Sequence, residues 1–312
     1  PPNFITIRAI GRFVLSRSNA CKREKVSQPA LPGRRGVSIL KHRLWCNRAD
    51  ARTSGTRSMA AAERQQSRGT GSVDAGEVEK FARIADAWWD PAGEFKPLHK
   101  LNPVRLKFLR DHLVARFRRD PASLRPFEGL RILDVGCGGG LVTEPLARLG
   151  AAVVGLDATR ESIEVAKLHA AEAGLDIDYR FDTAENLAAA GERFDAVCAL
   201  EVVEHVSDPA GFLRTCASMV KPGGAMALST LNRSPKGFLL GVVAAEYVLR
   251  WLPRGTHDWR KFVKPHEMAA MLRDGGLELT DLKGLVYDPV HDEFRLDARD
   301  LAVNYLAFAV KR

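Results

Sequence analysis

Leu130-Arg131-Ile132-Leu133-Asp134-Val135-Gly136-Cys137-Gly138-Gly139-Gly140 is the stretch on which the reading of this chain turns. It begins as a mostly apolar run of strand type and stops at a cluster of glycines. Leu141, Val142, Pro145, Leu146 and Leu149 then follow at helical spacing, closed by Gly150, and a second apolar run from Ala151 to Leu156 ends in Asp157. Strand, glycine turn, helix, strand, acid is the order of the βαβ unit that binds an adenosine group. Glycines at the turn let the backbone approach a ligand, and the amides at the helix start face it. Asp157, at the tip of the second strand, is placed to accept both ribose hydroxyls.

The spelling of the turn narrows the class. A nicotinamide-binding turn reads G-x-G-x-x-G, but Leu141 stands where its last glycine would be. The acid-apolar-G-x-G-x-G order found here is similar to that of methyltransferases that use S-adenosylmethionine. That ligand has no pyrophosphate, so the helix start need only accommodate a methionine end and a ribose.

Charge is spread unevenly over the 312 residues. Residues 1–72 carry fifteen Lys or Arg against three acids, net +12, and residues 73–312 carry 32 against 35, net −3, within a total of +9. The globular part needs no broad basic surface, which argues against a nucleic-acid partner. The leader, 1–72, is rich in Arg and Ser and poor in acids. Its composition suits a mitochondrial or plastid transit peptide, or a disordered basic tail, and lacks the long apolar core of a secretory signal. Five cysteines without a C-x-x-C pair fit a reducing compartment without structural disulfides. No run of eighteen uncharged apolar residues is present for a spanning helix.

From residue 73 the chain reads as one methyltransferase-type domain. The spacing predicts a helix over 77–89 and a second from Pro103 to about 117, which together form an N-terminal helical cap (77–120) able to cover a cofactor. Alternating strands and helices follow: helix 161–173, strand 177–181, strand 194–199, helix 209–220 and strand 225–230. This alternation predicts a mostly parallel sheet with helices on both faces and a ligand beyond the strands' C-terminal ends. Two late strands, 277–287 and 303–311, add an antiparallel edge hairpin. An apolar insertion, 236–262, follows the fifth strand. Its part from Lys236 to Leu252 is apolar almost all round, interrupted by Glu246 and Arg250, and the insertion reads as a substrate lid that also touches a membrane surface.

Beyond the turn, Trp88-Trp89-Asp90, Gly93-Glu94-Phe95-Lys96-Pro97-Leu98-His99, Asn102-Pro103-Val104-Arg105-Leu106, Glu201-Val202-Val203-Glu204-His205 and Gly255-Thr256-His257-Asp258 resemble one family closely. It is the ubiquinone-biosynthesis O-methyltransferases, including the mitochondrial enzyme that methylates polyprenyl dihydroxybenzoates. The resemblance runs from about residue 77 to the end.

The resemblance implies a class I, Rossmann-like α/β fold and a polyprenyl phenol or quinol substrate methylated on a ring hydroxyl. It also implies S-adenosylmethionine held by Arg105, Gly136, Asp157 and Leu200, and a divalent ion, Mg2+, on Glu201, Glu204 and His205. The expected setting is the matrix side of the mitochondrial inner membrane, peripheral, with other ubiquinone-biosynthesis proteins as partners. Read as one α-helical turn, positions 201, 204 and 205 share a face. Two carboxylates suit a hard cation; the imidazole also suits zinc or manganese. The same trio can instead shape the pocket, with Glu204, His205 or His257 serving the acid–base step. Rival readings are a methyltransferase for another small phenol and a non-catalytic S-adenosylmethionine-binding subunit.

Overall fold

A computed structural model describes residues 71–312 except 83, 94 and 242–257. The leader up to residue 70, most of the apolar insertion, and His257 lie outside the described residues. Ser72, the last residue of the leader as read from composition, is 5% exposed.

The sheet is built around β1 (Arg131–Val135), flanked by β2 (Ala152–Asp157) and β4 (Phe194–Leu200). With β3 (Asp178–Phe181), β5 (Val220–Leu231), β6 (Leu277–Asp288), β7 (Glu293–Asp297) and β8 (Asn304–Lys311), the order is β3-β2-β1-β4-β5-β8-β6-β7. The first five strands are parallel; β8, β6 and β7 join antiparallel. The chain runs outward from β1 to β3 and then crosses to β4. The crevice between the carboxyl ends of β1 and β4 is therefore the switch point where ligands gather.

Both sheet faces are covered, and the period-2 alternation of the strands assigns the residues. Leu133 and Val135 pack with Phe212, Leu213 and Met268 on one face, while Ile132 packs with Phe108, Leu109 and Leu146 on the other. Among the described residues the helices longer than one turn are α1 (Ala75–Ala82), α2 (Lys96–Arg116), α3 (Thr143–Arg148), α4 (Arg160–Glu172), α5 (Ala184–Ala189), α6 (Pro209–Met219) and α7 (Pro265–Asp274). Among the described residues no helix is long and apolar enough to cross a membrane.

Several sequence expectations shift. The first predicted helix breaks at Ala82 and continues as a 3₁₀ turn over Ala85–Ala87, which seats Trp88 in the interior at 8% exposure. The second begins seven residues early, at Lys96, with Pro97 in its first turn and Pro103 inside. Pro97, Leu101, Arg105 and Leu109 are buried at four-residue steps. Burial of that continuous stripe outweighs the hydrogen bond that Pro103 cannot make. At the other end, β8 lies between β5 and β6, and the short β7 is the edge strand. Sequence reading passed over both β7 and α7. Cys137, Cys198 and Cys216 are free and buried.

Candidate active site

Beyond the switch point lies a cavity of about 1210 Å³. A pocket for one small ligand holds roughly 300–1,000 Å³, so this one has room for a donor and an acceptor together. Arg105, Gly136, Asp157, Leu200, Glu201 and His205 all line it.

The glycine turn forms the donor end. Gly136, Gly138 and Gly140 have φ of 70°, 52° and 93°, the left-handed region that side chains resist. Gly138 N–H donates to Asp157 Oδ2 at 2.9 Å, and Thr159 N–H donates to Oδ1 at 2.7 Å. Asp157 thus shapes the turn as well as facing the cavity, and each oxygen keeps a further lone pair for a ribose hydroxyl. Burial raises its pKa, opposed by those two amides. Asp134, beneath the turn, is raised by burial to about 7 and accepts from Thr143 Oγ1 at 2.6 Å.

The cap closes over this turn. A Cβ at Gly138 would stand 2.3 Å from the Trp88 ring and one at Gly139 2.5 Å from Trp88 Cβ, so the indole occupies the space that two glycines leave. Trp88 stacks on Phe95 at 3.7 Å and donates to Ser162 Oγ at 3.1 Å. Trp89 donates to Gly139 O at 2.9 Å and stacks on His169 at 3.5 Å.

Arg105, 4% exposed, reaches the cavity from α2. Its guanidinium pairs with Glu201 at 3.1 Å, while its buried Nε has no hydrogen-bond partner among the described residues. An orphaned cationic donor lining the same cavity as Gly136 fits the carboxylate of a methionine end. The donor set therefore fits S-adenosylmethionine: Asp157 for the ribose, the turn for close approach, and Arg105 for the carboxylate.

The acceptor end differs from the predicted trio. Glu201 has φ 56°, a left-handed conformation for a side chain that resists it, and a 3₁₀ turn over Val203–His205 follows. Strain of this kind is held only by surrounding contacts. Glu201 N–H donates to Ser229 O at 3.0 Å and its Oε1 accepts from Ser229 Oγ at 2.6 Å, while Asn304 Nδ2 donates to the carboxylate at 3.3 and 3.4 Å.

The left-handed residue breaks the α-turn geometry assumed for positions 201, 204 and 205, and the three side chains diverge. Glu201 turns to Arg105. Glu204, 3% exposed, does not line the cavity and accepts from Thr230 Oγ1 at 2.8 Å. His205 turns to Glu77, with Nδ1 3.0 Å from Oε2. Burial raises the pKa of Glu204, and the neighbouring Glu201 charge adds to it; Arg105 and the hydrogen bonds hold Glu201 below its ordinary range. The donor set does not fit the predicted magnesium site. Among the described residues no group of three or more His, Cys, Asp or Glu gathers to hold a metal ion.

Sequence reasoning missed Glu77, Ser229 and Asn304. Nothing in their local pattern marks them, because each meets the site across the fold. His257, the alternative base, lies outside the described residues.

With this geometry in view, comparison with known proteins places the chain. A family profile described as a methyltransferase domain matches residues 106–282. Two solved methyltransferases share the fold. One, an S-adenosylmethionine-dependent enzyme of Thermotoga maritima, is 15% identical with a TM-score of 0.51 over 76% of this chain and 99% of that one. The other, the plantazolicin methyltransferase BpumL in complex with SAH, is 14% identical with a TM-score of 0.53 over 76% and 97%. Fold and site define an S-adenosylmethionine-dependent methyltransferase. The ubiquinone biosynthesis O-methyltransferase of Cereibacter sphaeroides is 55% identical over 241 residues, 77% of this chain and 98% of that protein. That of Parvibaculum lavamentivorans is 54% identical over 248 residues, 80% and 98% respectively. The chain belongs to the ubiquinone biosynthesis O-methyltransferase family.

Proposed function

We propose that this methyltransferase acts on a ring hydroxyl of a polyprenyl phenol or quinol, of the dihydroxybenzoate or demethylubiquinol type. One observation carries the reading. The cavity lined by Asp157 and Arg105 is lined also by His205 and by the apolar side chains of Leu231, Leu285, Val286 and Phe294. Polar groups, an imidazole and apolar side chains around one cavity suit a sulfonium donor, an acidic hydroxyl and a hydrocarbon tail.

S-adenosylmethionine, when bound, supplies an electrophilic methyl group on sulfur. Arg105 and Asp157 hold its two ends, and the turn with Trp88 above it excludes water. A phenol of pKa about 10 is mostly protonated at neutral pH, so the attacking oxygen needs a base. His205, on the cavity wall, takes that proton as the oxygen–carbon bond forms and the carbon–sulfur bond breaks. The remaining contribution is alignment of oxygen, methyl and sulfur. No step is routed through a metal, because Glu204 faces Thr230 rather than the cavity.

The membrane reading rests on the base of the apolar insertion, where Phe238, Leu239 and Leu240 are 46%, 56% and 43% exposed. Exposed apolar side chains leading into a longer apolar segment suit a peripheral contact through 236–262. Together with the basic, acid-poor leader, this supports a place on the matrix face of the mitochondrial inner membrane beside other proteins of the pathway.

The decisive test is transfer of labelled methyl to a prenylated dihydroxybenzoate and to plain catechol. Faster turnover of the prenylated acceptor is expected. Equal rates on both would remove the tail from the reading, and no transfer to either would remove the phenol. Sedimentation with anionic liposomes, with and without residues 236–262, checks the membrane contact.

A further inference from the structure

Native folds leave few buried polar atoms without a hydrogen-bond partner, and such an atom on a cavity-lining residue is a place for a ligand group. Two residues that bond Glu201 each carry one among the described residues. Arg105 Nε is a donor and suits the methionine carboxylate. Asn304 Oδ1 is an acceptor, on a side chain that is 7% exposed and lines the same cavity.

The sheet places Asn304. β4, β5 and β8 are neighbours, and they bring Glu201, Ser229 and Asn304 together. Asn304 Nδ2 donates to both oxygens of the Glu201 carboxylate, at 3.3 and 3.4 Å. An amide whose nitrogen faces that carboxylate presents its oxygen in another direction, so the anchor that fixes the side chain leaves Oδ1 to a further partner. The left-handed backbone of Glu201 belongs to this arrangement, and strain of that kind gathers at ligand clamps. Val303, next in the chain, and Leu231, the partner of Asn304 on β5, line the cavity as apolar groups. A polar acceptor set among apolar side chains is the kind of group that fixes a ligand's orientation.

We propose that Asn304 is a specificity-determining residue: its Oδ1 accepts a hydrogen bond from a ring hydroxyl adjacent to the one that is methylated, so that the site selects a catechol-type ring over an isolated phenol. The proposal rests on the acceptor being a phenol. The orphaned atom is an acceptor, so its partner must bring a donor. An ammonium would meet the apolar groups of Val303 and Leu231 with its charge desolvated, whereas a neutral hydroxyl arrives on an apolar ring. A ring without that hydroxyl leaves Oδ1 buried and unpaired, which is how a hydrogen-bonding site rejects an analogue that lacks the group. The adjacent hydroxyl keeps its proton throughout the transfer, and Asn304 takes none.

Three prenylated acceptors test this on the full chain, alike except for the group next to the reacting hydroxyl: a hydroxyl, an amino group, or a methyl group of similar size. The readout is kcat/KM for O-methylation at saturating S-adenosylmethionine, so that a change carried through Glu201 to Arg105 does not enter the comparison. In the parent chain the hydroxyl and amino acceptors should exceed the methyl acceptor by about 10- to 100-fold. In Asn304→Leu the three should come within about threefold of one another. Binding of S-adenosylhomocysteine, measured by calorimetry, shows that the variant folds, and Asn304→Ala serves the same comparison if it does not. Equal rates for the methyl and hydroxyl acceptors in the parent chain, or a preference that survives in the variant, overturn the role of Asn304 while the phenol reading stands. No transfer to any of the three removes that reading and this inference together.

Discussion

At the donor end of the cavity most hydrogen bonds that shape the glycine turn close within residues 130–159, with Trp88 and Trp89 of the cap packed on from outside: Asp157 with the Gly138 and Thr159 amides, Asp134 with Thr143, Leu156 O with the Gly136 and Cys137 amides. At the acceptor end the backbone turn closes locally, His205 N–H on Val202 O, but the side chains are held from a distance. Glu201 is held by α2, β5 and β8, Glu204 by β5, and His205 by α1. One end is a piece of backbone geometry that the chain makes as it goes, and the other is an assembly of distant side chains. Binding and chemistry are thereby divided between two kinds of structure, and substitutions should separate them.

The largest separation is expected at His205. His205→Ala should lower kcat by about 10²- to 10⁴-fold, the range of a general base, while calorimetric affinity for S-adenosylhomocysteine stays near the parent value. An equal loss of binding would join the two ends and break the contrast. Trp88→Ala probes where the cap meets the donor end. Removing a buried indole costs about 3–5 kcal/mol and exposes the turn. Amides of residues 75–98 should exchange faster with solvent while those of β1 and β4 keep their protection.

Asp157→Ala should act in the opposite sense to His205→Ala. Two charge-assisted hydrogen bonds to a ribose, at about 1.5 kcal/mol each, correspond to about 100-fold in donor affinity. Saturating donor should then restore much of kcat. Smallest is the effect of Glu204→Gln, seen in stability rather than turnover. The folded carboxyl holds its proton more tightly than the unfolded one, mainly because it is buried. Stability is therefore greatest below the unfolded pKa and declines as pH rises toward the folded value. Urea denaturation from about pH 5 to about pH 8 should show the parent chain losing on the order of 2 kcal/mol more than Glu204→Gln. Parallel curves would mean that Glu204 is already ionised in the fold.

Legibility follows the same division. Asp134, the glycines and Asp157 lie in one stretch whose periodicity changes from strand to helix to strand, so their joint placement follows from local rules. Arg105 follows from its place in the second cap helix and from the family resemblance, but nothing in the sequence marks its pairing with Glu201. The trio at 201, 204 and 205 was misread for a definite reason. Spacing of three and four implies a shared face only while the backbone is α-helical, and φ of 56° at Glu201 ends that condition. The Pro103 error is similar: a proline marks a helix start until a buried stripe on both sides of it outweighs one lost hydrogen bond.

The sequence by itself determined the parallel half of the sheet, the donor turn and the class of cofactor, because these depend on contacts between near neighbours and on glycines that no other residue replaces. Only the tertiary structure decided the acceptor end: that Glu77 faces His205, that Glu204 lies behind the wall, and that β8 inserts between β5 and β6. Those pairings join residues from 26 (Glu204 and Thr230) to 128 (Glu77 and His205) positions apart or link separate strands, and a chain's local pattern carries no record of which distant group will meet a buried charge.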